Sequence, residues 1–164
     1  MNDRSKTGGS AGAVPGAGQL ANFLPYQLSI TSNAVSSLIA QRYRVRFGLK
    51  ITEWRVMAVL GDAGALTQRA LARSTLMDKV AVNRACRVLE DRGLVHRQPN
   101  AQDGRSHLLE LTEEGRAVHS EIMPMALDIE ETIFEVLDEE ERGTFRELMA
   151  RVFTKVESMA EPSG

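Results

Sequence analysis

A single cysteine, Cys86, leaves this chain without any internal disulfide to staple it. It has no run of eighteen apolar residues and no secretory signal pattern, so a cytoplasmic protein with no membrane partner is expected. Aromatic residues make up only 5% and proline is scarce away from the ends, while Leu, Ala, Val, Glu and Arg dominate, which argues for helix over sheet. Catalytic motifs are missing too. There is no nucleophile elbow, phosphate-binding glycine loop or HExxH, so neither an enzyme nor a cofactor is expected. The acidic run Glu139-Glu140-Glu141 reads better as a helix start than as paired catalytic acids. His96, His107 and His119 lack the cysteine or close carboxylate spacing that completes a metal site, although two of them could approach across a hairpin. Nor is there an overall excess of positive charge, the formal net charge being −2.

That average conceals a segregation. Thr67 to Ser106 holds eight Arg or Lys against four acids, whereas Glu113 to Glu147 holds twelve acids against three Arg. A basic region can neutralise phosphates and an acidic one is repelled by them, so orientation on a nucleic acid is partly built in. At 164 residues and 43% apolar, the chain can build one sizeable core with an appended tail.

Residues 1–22, rich in Gly with Ser and Ala, read as a flexible tail; Arg4 and Lys6 are the only support for the alternative of a DNA-tracking arm. Phe23 to Phe47 predicts a long helix with Leu28, Val35, Leu38 and Val45 on a seven-residue pattern, ended by Gly48. Its Ser29, Asn33 and Ser36 share one face, either solvated or ligand-contacting. Thr52 is the expected N-cap of a helix through Leu60, broken by Gly61 and Gly64, with Trp54 a core residue or a pocket wall. Thr67 caps a short helix, Gln68 to Ser74, and Asp78 caps the next, on which Val82, Ala85, Cys86 and Leu89 recur at helical spacing as a buried seam. Lys79, Val80, Asn83, Arg84 and Arg87 lie off that seam, several in the opening turns, the part of a recognition helix that reaches base edges. Two such helices with a tight connection form a helix-turn-helix.

Gly93 stops the second helix, and Leu94 to Gln98 and Ser106 to Leu111 predict two strands around a polar, turn-rich loop. Arg105 falls near the loop tip, suited to the negative potential of a minor groove. Thr112 can cap a long helix carrying Ile122, Ala126, Ile129, Ile133 and Val136, with a kink expected at Pro124. Asp138 and Glu141 form a capping box for a last helix whose Phe145, Leu148, Met149, Val152, Phe153, Val156 and Met159 make a wide apolar face. The surplus of apolar surface implies a dimerisation layer built from the first and last helices. The expected fold is therefore mainly α with a small β-hairpin wing. It divides into a tail (1–22), an N-terminal dimerisation helix (23–50), a winged helix-turn-helix lobe (51–112), C-terminal dimerisation helices (113–160) and a short tail (161–164).

Leu89-Glu90-Asp91-Arg92-Gly93-Leu94-Val95-His96-Arg97, then Asp103-Gly104-Arg105-Ser106, then Leu111-Thr112-Glu113-Glu114-Gly115 resemble, in order, the signature run of the MarR family of winged helix-turn-helix regulators. Ile51 to Met57 is similar to the start of that family's second helix, and the resemblance covers about Leu24 to Met159. It implies that Arg105 meets the minor groove while Asp103 braces the wing through a basic partner such as Arg97, and that Val80, Asn83 and Arg84 read the major groove. Thr67 and Gln68 at the start of the short helix, with Lys79, Arg87 and Ser106, complete the DNA-binding candidates. It also implies a homodimeric repressor on a near-palindromic double-stranded operator, released by a small effector such as an aromatic acid or thioester. The effector cleft would be lined by Ser29, Asn33, Ser36, Trp54, Met57, His119 and Met123. Two other readings stay open: a DNA-binding regulator with no effector, and an oxidant sensor working through Cys86, whose disulfide would have to be intermolecular.

Overall fold

The structure, a computed structural model, describes residues 18–160. Most of the expected N-terminal tail, with Arg4 and Lys6, and the whole of the expected C-terminal tail, 161–164, lie outside the described residues. Gly18–Asn22, grouped above with the N-terminal tail, instead forms a short 3-10 helix, and the Gln27 amide donates back to the Ala21 carbonyl.

α1 spans Leu24–Phe47, with Pro25 in its first turn, where a missing N–H is harmless. It ends as expected at Gly48, whose φ of 63° lets its N–H close on the Arg44 carbonyl at 2.9 Å. α2 spans Ile51–Ala63 and starts two residues earlier than expected: Lys50, not Thr52, is the N-cap. The cause is Glu53, whose carboxylate reaches back to accept the Lys50 N–H at 2.8 Å. Nor does Gly61 break α2. The ring of His119 sits so close over Gly61 that any Cβ there would collide with it, so this glycine serves an approach and only Gly64 serves the exit.

α3 (Gln68–Thr75) and α4 (Lys79–Asp91) are joined by a tight turn in which Leu76 adopts a φ of 52°. Both caps match expectation: Thr67 Oγ1 accepts the Ala70 N–H and Asp78 Oδ1 the Ala81 N–H. The wing strands are β2 (Val95–Pro99) and β3 (His107–Leu111), antiparallel with Val95 opposite Leu111 and Pro99 opposite His107. A third strand was not anticipated. β1, only Leu66–Thr67, pairs with β3 opposite Leu109 and Leu108, giving the order β1-β3-β2.

α5 spans Glu113–Phe134 with Pro124 inside it, and α6 spans Glu139–Ala160 behind the expected capping box, Asp138 and Glu141 exchanging backbone-to-carboxylate bonds of 2.9 Å. The described residues fall into two compact units, one ending at His119 and the other beginning at Ser120. The first has a closed core: Val56, Met57, Leu60, Leu71, Val82, Cys86, Leu89, Leu109 and Leu111 are buried. Burying a large aliphatic side chain contributes about 1.5–3 kcal/mol, so this core is the main stabiliser of the unit. Gly115 brings the first turn of α5 onto the Leu94 carbonyl, an approach that leaves no room for a side chain. In the second unit, α5 and α6 are pinned by Arg142, which forks onto Glu131 at 2.7 and 2.8 Å and donates to the Phe134 carbonyl at 3.0 Å. The α6 helix buries none of its residues.

Candidate nucleic-acid interface

α4 presents two faces. The seam Val82, Ala85, Cys86 and Leu89 is buried as expected, so Lys79, Val80, Asn83, Arg84 and Arg87 are all left exposed. Asp78 satisfies one of the free N–H groups of the first turn, and that end of the helix carries the positive end of its dipole. A cationic, solvent-facing helix start with an amide side chain beside an arginine can donate to base edges and phosphates.

The start of α3 and the wing come together around a shallow cleft of about 330 Å³, lined by Thr67, Gln68, Arg69, Arg97, Asn100, Asp103, Arg105, Ser106 and His107. Thr67 spends its hydroxyl on its own helix cap, and Gln68 turns its amide inward so that Nε2 is buried. The exposed cation at this helix start is therefore Arg69, one residue beyond those expected, and His107 and Asn100 join it in the cleft. Arg69 was legible in principle as a cation in the first turn of the first helix of the pair. The basic face of α4 drew the attention instead.

The wing loop organises itself through its backbone. Asp103 Oδ1 accepts the Arg105 N–H at 3.1 Å, Ser106 N–H donates to the Asp103 carbonyl at 2.9 Å, and Asn100 Nδ2 donates to Ser106 Oγ at 2.9 Å. These turns hold Arg105 exposed at the tip. The brace expected between Asp103 and Arg97 takes another form. Arg97 forks onto Glu90 with bonds of 2.8 and 2.9 Å, tying β2 to α4, and the bond from Arg97 holds the Glu90 carboxyl below its usual range. Both partners keep a quarter or more of their side chains in water, so the pair contributes about 1 kcal/mol or less.

Cys86 is fully buried, and burial first, then the nearby Glu90 charge, pushes its thiol up to about 11. At neutral pH it is a small hydrophobe and a poor nucleophile. The histidines do not meet across the hairpin: His96 lies opposite Glu110, its Nε2 3.8 Å from that carboxylate, while His107 lies opposite Pro99. Among the described residues no three His, Cys, Asp or Glu side chains are grouped as metal ligands.

Of the effector candidates, Trp54 and His119 are brought together, their rings stacked at 5.6 Å, with Tyr43 5.7 Å from Trp54 on its other contact. Burial lowers the His119 pKa, opposed by Asp62, and pushes the Tyr43 hydroxyl up to about 12. Met57 is sealed in the core, Ser29 and Asn33 are exposed on α1, and Ser36 and Met123 are half-buried.

Residues 47–106 match the model of the MarR family. The chain is 30% identical to a probable transcriptional regulator from Pseudomonas aeruginosa, over 79% of this chain and 99% of that one, with a TM-score of 0.65. It is 28% identical over 128 residues to an uncharacterized HTH-type transcriptional regulator of Bacillus cereus, covering 77% of this chain and 85% of that protein. BpsR of Bordetella bronchiseptica, whose DNA binding is regulated by 6-hydroxynicotinic acid, is 25% identical with a TM-score of 0.71, over 79% of this chain and 97% of that one. Together with the buried seam of α4, its exposed basic face and the three-stranded wing, these likenesses identify the chain as a member of the MarR family of DNA-binding transcriptional regulators.

Proposed function

We propose that this protein is a cytoplasmic, homodimeric repressor that holds a near-palindromic double-stranded operator and lets go when a small aromatic acid or thioester binds. The observation that carries the reading is the division of labour on α4, where every seam residue is buried and Lys79, Val80, Asn83, Arg84 and Arg87 are exposed. Asn83 and Arg84 address base edges, Arg105 enters the minor groove from the self-braced wing tip, Arg69, Arg87 and Lys79 neutralise phosphates, and Arg97, paired with Glu90, holds the wing against α4. Dimerisation is supported by the apolar faces left open on α1 and α6, since Leu28, Leu38, Val45 and the seven apolar residues of α6 are exposed in the single chain. Effector control is supported by the regulation of BpsR and by the stacked rings of Trp54 and His119, of which Trp54 is buried and His119 half-buried.

Duplexes selected from a random pool by the full chain test the reading. Affinity should fall steeply with salt, Arg84→Ala should cost about 1–3 kcal/mol only on duplexes with the selected bases, and Arg105→Ala should weaken binding most where the minor groove is narrow. A flat salt slope and no enriched sequence would end the proposal. A thermal-shift screen of aromatic acids and thioesters tests the effector, because a ligand of the folded state raises the apparent melting temperature. No shift across the set would leave a DNA-binding regulator without an effector of this class.

A further inference from the structure

The three residues that follow α4, Arg92, Gly93 and Leu94, are engaged from two sides: Arg92 by the end of α1, and Gly93 and Leu94 both by Thr112 at the head of α5. The Arg92 guanidinium reaches across to the end of α1 and donates to the carbonyl of its last residue, Phe47 O, at 2.7 Å through Nη2 and to that of its C-cap, Gly48 O, at 3.3 Å through Nη1. Those carbonyls sit at the negative end of a twenty-four-residue helix and have no partner within it, so a fork of charged donors there is favourable on both counts. The Gly93 carbonyl accepts the Thr112 hydroxyl at 2.6 Å, and the Leu94 carbonyl accepts the Thr112 N–H at 3.1 Å. Thr112 Oγ1 in turn accepts the Gly115 N–H at 3.0 Å, which locks the first turn of α5 against Leu94 where no side chain fits. Two long helices, α1 and α5, thus close on one short segment, and that segment is the C-terminal support of α4.

We infer that Arg92–Leu94 is the junction that transmits the pose of α1 and α5 to the recognition helix, with Arg92 as its positioning residue. Arg92 is directed to α1 and sits at the far end of α4 from the opening turns proposed to read DNA, so it acts on DNA only through the angle of α4. The inference rests on the proposed dimeric reading for its effect on DNA, but not for the junction itself. Lysine cannot replace the function fully, because one ammonium cannot match the planar fork that spans two adjacent carbonyls.

The test uses the full chain with Cys86→Ala and paired spin labels on Val45→Cys and Arg87→Cys, both exposed positions on α1 and α4. The label-to-label distance distribution should be narrow with Arg92 in place, broad in Arg92→Ala and intermediate in Arg92→Lys. Thr112→Val, which removes the hydroxyl bridge, should broaden it as well, and Thr112→Ser should restore it. On pool-selected duplexes with one or two base pairs inserted between half-sites, the preference for the original spacing should fall by about 2- to 30-fold in Arg92→Ala, the range seen for residues that couple distant sites. Weak binding to unselected duplex should stay as it was. A distribution as narrow in Arg92→Ala as with Arg92 present overturns the inference whatever the DNA results. If the distribution broadens while no duplex is selected by the unsubstituted chain, the junction stands and the operator reading fails.

Discussion

The unit ending at His119 and the unit beginning at Ser120 are drawn from the same apolar residue types and finish in opposite states. Among the described residues, all the buried apolar side chains except Ile122 belong to the first, whereas Phe145, Leu148, Met149, Val152, Phe153, Val156 and Met159 of α6 remain exposed. The first unit satisfies its own periodicity: α4 buries one stripe against α2 and α3 and leaves its cations outside. The second carries an equally clear stripe that no described residue covers. An apolar repeat therefore specifies that a face will be covered, and not by which molecule.

Core truncation should separate the two most sharply. Leu89→Ala, at a fully buried position, should lower the unfolding free energy by about 2–5 kcal/mol. Val156→Ala, at a position 59% exposed, should change it by about 0.5 kcal/mol or less in dilute protein and instead reduce the dependence of the midpoint on concentration. Urea titrations at two protein concentrations decide; equal losses at both positions would erase the distinction between the units. Next in size, Phe153→Asp should weaken self-association on the order of a hundredfold, since a charge would be buried without a partner at each copy of the face. Sedimentation velocity reads this directly, while the near-ultraviolet signal of Trp54 should not change. A dimer that survives Phe153→Asp would mean that the α6 face is covered by something else.

The same contrast governs what could be read without coordinates. The α4 seam and the caps at Thr67, Asp78 and Asp138 were legible because each depends on spacing within a single turn or two. What escaped depended on partners far along the chain. Leu66 and Thr67 are a strand only because Leu108 and Leu109 pair with them, and two residues carry no alternation of their own. Gly61 looked like a breaker because nothing local reveals the His119 ring above it. Arg97 had two acidic residues to choose between, and the seating of β2 against α4, not the sequence, selects Glu90 over Asp103. Thr52 is the better capping residue by type, yet Glu53 reaches Lys50 and moves the start of α2.

Smaller effects come from the helix starts. Asp78→Ala in the first unit and Asp138→Ala in the second should each cost about 1 kcal/mol locally, because both remove an acceptor from a first-turn N–H. They should report differently. Asp78→Ala should lower global stability, whereas Asp138→Ala should raise amide exchange at the start of α6 with little global change if that helix is held mainly by a second copy. A global loss from Asp138→Ala as large as from Asp78→Ala would show that the second unit contributes to the cooperative core of the single chain.

The smallest expected effect is a pH dependence confined to the first unit. Burial against Trp54 and Gly61 lowers the His119 pKa in the folded state, with Asp62 pulling the other way. The unfolded chain then takes up the proton first as pH falls, so stability is full above the ordinary histidine range near 6.5 and is lost as pH drops toward the folded pKa. Unfolding followed by Trp54 fluorescence between neutral and mildly acidic pH should therefore show a decline that His119→Gln flattens, because glutamine brings no titratable group into the ring contact. If the decline persists in His119→Gln, other groups set it. If stability instead rises on acidification, the protonated ring must gain more from Asp62 and the Trp54 face than it loses by burial, and the first unit would hold its histidine as a cation rather than as a neutral packing element.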